Sequence, residues 1–103
     1  MTVRDEIERH LLGLPGLVRG PSRYDHGSAF RSGGREIAHF HGERRLDVRL
    51  TRGRIAEMKA EGPLDSRVLT RGPSAEWVEV RVAEPADVAL AVTLVEEAVR
   101  ANS

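Results

Sequence analysis

No cysteine occurs among the 103 residues, which excludes disulfides and thiolate metal sites outright. The core must hold the fold unaided, a state suited to a reducing cytoplasm, and at this length one domain spanning 1–103 is expected. Aromatic residues are scarce: Tyr24, Phe30, Phe40 and Trp77 are the full set. Aliphatic side chains must therefore fill the core, and each aromatic asks for its own explanation. Long apolar runs are missing too. The N-terminus, MTVRDEIERH, lacks the apolar stretch of a signal peptide, and the apolar-rich Val88–Val99 is split by Thr93, Glu96 and Glu97, so no membrane span is expected. No glycine-rich loop leads from a strand into a helix, and Ser28 has no convincing His and acid partners. Phosphate-loop, dinucleotide-fold and hydrolase-triad chemistry are disfavoured accordingly.

Net charge is absent as well, at a formal zero, which argues against strong nonspecific affinity for nucleic acid or anionic lipid. The charges are nevertheless segregated. Residues 31–54 carry seven arginines against Glu36, Glu43 and Asp47, a local +4, whereas residues 76–103 carry a local −4. Mutual neutralisation across the fold and an anion-binding arginine patch both fit that pattern.

What is present divides into clear elements. Thr2 with Asp5 three residues on resembles a capping box, and Val3, Ile7 and Leu11 follow at helical spacing up to Gly13. Leu17–Arg19 and Ser28–Ser32 read as strands, and Gly33-Gly34 signals a tight hairpin turn. Residues 35–41 and the alternating Leu46, Val48, Leu50 give two more strands around a three-residue turn at 42–44. Thr51 caps a short helix carrying Ile55 and Met58, and Arg67–Thr70 is a short edge strand. Glu76–Val82 is the clearest strand, and Pro85 opens a last helix striped with Val88, Ala91, Val92, Val95, Ala98 and Val99. The expected fold class is α+β in two layers: an antiparallel sheet of about five strands, with two longer helices and one short helix on one face.

Period-two alternation then divides the residues by face. Ala38, Phe40, Leu46, Val48, Leu50, Val78, Val80 and Val82 are expected inside. Ile37, His39 and His41 share the outer face with Arg45, Asp47 and Arg49 and with Trp77, Glu79 and Arg81. The odd-length turn pairs His39 with Asp47 and Ile37 with Arg49.

His39 beside Asp47 is the sharpest chemical signal. A carboxylate next to an imidazole raises its pKa and fixes its tautomer, as in a general base. The same pair with His41 is a plausible three-ligand metal set, to which His26 could add a ligand from its loop. An exposed ionic face without function is the third reading. Trp77 on that face suits either burial under a loop or partner subunit, or stacking against a flat ligand. Tyr24 and Arg23, in the loop before the hairpin, suit either solvent-facing turn positions or a cover over this face.

Glu36-Ile37-Ala38-His39-Phe40-His41, then Leu46-Asp47-Val48-Arg49-Leu50 and later Trp77-Val78-Glu79-Val80, resembles the luciferase-like domain of fungal luciferases, which is shared with short bacterial proteins. The resemblance runs from about Ser28 to Ala101. Asp47 stands where the fungal pattern has a histidine, and residues 62–75 contain no His-Pro loop. The resemblance implies oxygen-dependent oxidation of a hydroxypyrone-like substrate, a reaction with no established metal or organic cofactor. Of the motif histidines, His39 and His41 match by position.

The expected function is small-molecule binding or catalysis on the outer face. His39 would be the general base, oriented by Asp47. His41, Arg49, Trp77 and Arg81 would bind a small aromatic or anionic ligand, Arg49 through an acidic group and Trp77 by stacking. No metal and no cofactor enter this reading. Two alternatives stand beside it. One is a noncatalytic module using that face as a homodimer interface. The other is nucleic-acid binding, suggested by a looser resemblance in element order to the double-wing DNA-binding domains.

Overall fold

A computed structural model describes residues 1–23 and 27–103. The elements in chain order are α1 (Val3–Leu12), β1 (Leu17–Pro21), β2 (Ser28–Ser32), β3 (Arg35–Phe40), β4 (Arg45–Arg49), α2 (Arg52–Glu61), β5 (Val68–Thr70), β6 (Trp77–Arg81) and α3 (Asp87–Ala101). The expected capping box starts α1: the Thr2 hydroxyl accepts from Asp5 N–H, and the Asp5 carboxylate accepts from Thr2 N–H. At the β2–β3 turn, Gly33 and Gly34 have φ of 59° and 80°, the pair of positive values that a tight hairpin turn needs.

The strands form one antiparallel sheet in the order β1-β2-β3-β4-β6-β5. The α+β class is as expected, but the sheet has six strands rather than about five, because Leu17–Pro21 and Val68–Thr70 both pair as full edge strands. The helix expected to be short, α2, has ten residues, as many as α1. Pro85 lies in the turn before α3 rather than in its first helical turn.

The core occupies the helix-covered face. Phe30, Ala38, Phe40, Leu46, Val48, Leu50, Val78, Val80 and Val82 are all buried, together with Ile7 and Leu11 of α1 and Ala91, Leu94, Val95 and Ala98 of α3. The two phenylalanines meet edge to face, with ring centroids 6.5 Å apart. Both phenylalanines are thus spent on the core.

One sequence expectation about faces fails, with consequences for the site. Ile37 is fully buried in the core cluster and does not share the outer face with His39. The register explains why. Phe30 pairs with Ala38 and Arg31 with Glu36, so Ile37 is the extra residue of a β-bulge. The bulge sends the adjacent Ile37 and Ala38 both inward and turns Glu36 onto the outer face. The expected Ile37–Arg49 pair is accordingly missing from the β3–β4 register, which runs Ala38–Val48, His39–Asp47 and Phe40–Leu46. Among the described residues, no helix is long and apolar enough to cross a membrane.

Candidate functional site

His39 sits opposite Asp47, as the odd-length turn requires; the turn closes with His41 N–H donating to Arg45 O at 2.9 Å. Their side chains meet, His39 Nε2 lying 3.1 Å from Asp47 Oδ2. The bulge supplies the other side: His39 Nδ1 is 3.0 Å from Glu36 Oε2. One imidazole is therefore held between two carboxylates. All three residues are buried, with exposures of 6% for His39, 8% for Asp47 and 5% for Glu36.

Each carboxylate is anchored in turn. Arg45 Nε donates to Asp47 Oδ1 at 2.7 Å and its Nη2 to Oδ2 at 3.2 Å, while the same Nη2 lies 2.9 Å from Glu79 Oε1. Arg71 closes that end on Glu79 at 2.6 Å. At the other end Ser22 Oγ donates to Glu36 Oε2 and Arg23 N–H to Glu36 Oε1, at 2.9 and 2.7 Å. Ala29, directly across from His39 on β2, is also fully buried. This outer face is therefore covered and ordered around His39, unlike an open solvated ionic face.

The two carboxylates that His39 touches favour its protonated form, while Arg45, Arg71 and Arg31 offset the charges of Asp47, Glu79 and Glu36. The pKa directions agree. Burial is the largest influence on His39 and works against its charged form, but the Asp47 hydrogen bond and the attraction of Asp47 and Glu36 outweigh it, raising His39 above the ordinary histidine value. Burial likewise pushes Asp47 up and is overcome by the His39 and Arg45 hydrogen bonds, so Asp47 lies below the usual carboxylate range.

A cleft of about 570 Å³ opens over this network, lined by His39, His41, Arg45, Asp47, Trp77 and Glu79 together with Arg71, Ala75 and Glu76. The volume is that of a small-molecule site. Trp77 forms an apolar wall, half-buried, its ring centroid 5.1 Å from that of His39 and tilted by 50°. His41 is exposed at the edge.

The sequence-expected residues thus divide. His39, Asp47, His41 and Trp77 come together in this cleft. Arg49 lines a neighbouring cleft, with its guanidinium donating to Asn102 Oδ1 and Glu76 Oε1. Arg81 is exposed and does not line the His39 cleft; its N–H donates to Arg67 O. Tyr24 and His26 lie outside the described residues. Sequence reasoning missed Glu36, whose signal was readable: two adjacent apolar residues, Ile37 and Ala38, between polar Glu36 and His39 break the alternation as a bulge does. Among the described residues, no group of three or more His, Asp or Glu side chains has the arrangement of a metal cage. The contacts give a reason, since both ring nitrogens of His39 face carboxylates instead of a common centre.

No curated protein and no solved structure matches the chain. A family model described as Luciferase domain matches residues 34–98. That span runs from the β2–β3 turn into the last turns of α3, and includes Glu36, His39, Asp47 and Trp77. On that match over more than half of its length, the chain belongs to the luciferase-domain family.

Proposed function

We propose that the His39–Trp77 cleft binds a small, flat molecule with an acidic hydroxyl, such as a hydroxypyrone or a related aromatic, and that oxygen-dependent oxidation of such a molecule is the reaction it serves. The observation carrying this reading is the imidazole held between Glu36 and Asp47 at the wall of a cleft whose apolar side is Trp77. Trp77 would stack on the ring. His39, oriented by Asp47, would be the acid–base residue, and His41 would contact the ring's polar edge.

The charge state refines the role expected for His39. The raised pKa widens the range in which His39 is an imidazolium; in that form it favours the deprotonated form of a bound hydroxyl by attraction, and it takes up a proton only in the neutral form that grows as pH rises. A deprotonated, electron-rich ring is the form that gives electrons to oxygen. The protein's part is then to bind, to orient, and to hold negative charge in a place shielded from water.

The test is a thermal-shift and NMR screen of hydroxypyrones and hydroxylated aromatics, run in air and under nitrogen. A ligand at ~100 times its dissociation constant stabilises by about 2.7 kcal/mol. The expected result is stabilisation by one class, with shifts at His39, His41 and Trp77 and with binding lost in His39→Ala. Unchanged binding in that variant would overturn the assignment of the site. Equal substrate loss in air and nitrogen would overturn the oxidation.

A further inference from the structure

We infer that the ligand of the outer face carries an acidic group, a carboxylate or phosphate, held by an arginine-lined cleft that adjoins the ring cleft; this rests on the reading of the His39–Trp77 cleft as a ring site. The adjoining cleft, of about 400 Å³, is lined by Arg23, Arg31, Arg35 and Arg49, with Glu36 as the one carboxylate among the described residues that line it and with the Gly33-Gly34 turn beside them.

Glu36 offsets one of these arginines at most. Its Oε2 accepts from Ser22 and faces His39 Nδ1, and its Oε1 accepts from Arg23 backbone N–H. Arg31 forms an ion pair with Glu36 Oε1 at 3.6 Å and donates its hydrogen bond to Pro21 O. Arg49 is matched by Glu76. Arg23 and Arg35 are exposed and form no ion pair among the described residues. The cleft therefore keeps an excess of positive charge on guanidiniums, whose planar donors suit carboxylate and phosphate oxygens.

The two clefts are adjacent by construction. Arg49 and Trp77 are direct partners across β4 and β6, and Glu36 and His39, in contact with each other, line one cleft each. A molecule whose ring lies on Trp77 therefore reaches the arginines with a short acidic arm. Arg23 and Arg31 fall outside the residues matched by the family model, so half of this arginine set belongs to the N-terminal part of the chain.

The experiment compares a neutral hydroxypyrone with its carboxyl-bearing analogue on the intact protein and on the Arg23→Glu/Arg35→Glu variant, with inorganic phosphate as a third probe. Both substituted side chains are exposed, so the fold is retained. The acid is expected to bind at least about tenfold more tightly than the neutral ring, equivalent to ~1.4 kcal/mol. That advantage should vanish in the variant while neutral-ring affinity stays the same. Phosphate should shift the amide signals of Gly33, Gly34 and Arg35 in the unmodified protein alone. Equal affinity of the two rings, or an advantage that survives the substitutions, would overturn the inference. Phosphate binding at the arginines without any ring binding would overturn the ring reading and leave the anion site standing. Preference of phosphate over the carboxylated ring would identify phosphate as the acidic group.

Discussion

Asp87 and Asp47 are both buried carboxylates bonded to an arginine, yet they sit in clusters of opposite character. Asp87 Oδ1 accepts from Arg67 at 2.8 Å, and its Oδ2 accepts from Ala83 and Glu84 N–H at 2.8 and 2.9 Å. Its partners are a permanent cation and two backbone groups at the start of α3. Arg67 is held in turn by Asp65. Nothing in that cluster changes charge near neutral pH. Asp47 shares its oxygens between Arg45 and His39, a group that does titrate there, and the cluster faces a cleft walled by Trp77. Ionic bonding alone therefore does not mark a site. A titratable member next to an apolar wall and open volume does.

The largest effect that would test this contrast is on stability at Asp87. Asp87→Ala removes the acceptor for two backbone N–H groups and a favourable charge at a helix N-terminus. Lost caps and hydrogen bonds of this kind cost about 2–3 kcal/mol together, or roughly ten degrees or more in Tm for a domain of this size. Urea denaturation should register that loss while ligand affinity stays unchanged. A loss below about 0.5 kcal/mol, the range of ordinary surface substitutions, would erase the distinction between the clusters.

Asp47→Asn comes next. The substitution keeps the shape but removes a charge, so His39 loses an anionic partner and its titration, followed by the ring C–H resonances, moves down. The cost in stability is about 1–2 kcal/mol, that of hydrogen bonds to a charged group. Asp87→Asn should leave the His39 titration where it is. Movement in both variants would mean that the two clusters are coupled.

The pH dependence of stability separates them further. The folded His39 value is raised, so its contribution is fully present below the unfolded value of about 6.5 and is lost as pH rises through the folded value. Asp47 and Asp87 are depressed, so theirs is present above the unfolded value of about 3.9 and is lost as pH falls through their folded values. The alkaline limb belongs to the candidate site alone, whereas the acid limb is shared between Asp47 of that site and Asp87. His39→Ala should flatten the alkaline limb in urea titrations above about pH 6.5 and reduce only the Asp47 share of the acid limb, leaving the Asp87 share in place. A persistent alkaline limb would assign it to another group.

Much of this was legible from residue order alone. The inner face followed from alternation at Leu46, Val48, Val78 and Val80, because a buried sheet face tolerates no slip of register. His39 opposite Asp47 followed from the length of one turn. Alternation failed at Ile37, where the bulge changes the face of every residue before it, and Glu36 was lost from the site with it. Arg45 and Glu79 were placed on the correct face, but their joining of Asp47 to Arg71 depends on side-chain reach, which no spacing encodes. The split of the outer face into a ring cleft and an arginine cleft was equally hidden, because it depends on where the Ser22–Arg23 segment meets Glu36.

The smallest expected stability effect is at Trp77, and it sharpens the contrast from the opposite side. Trp77 is half-buried, on the face away from the core, and its ring meets that of His39. Trp77→Leu removes a stacking surface and an aromatic pair worth about 0.5–1.5 kcal/mol, while Leu still covers part of the same area. The net loss in a urea titration should be near or below 1 kcal/mol. Affinity for a flat ligand should fall about tenfold or more, since stacking on an aromatic platform contributes ~1–3 kcal/mol per ring. Asp87→Ala is expected to do the reverse, lowering stability and sparing affinity. A Trp77 variant that loses stability like the Asp87 variant but binds like the unmodified protein would make Trp77 part of the scaffold and leave the cleft without its platform.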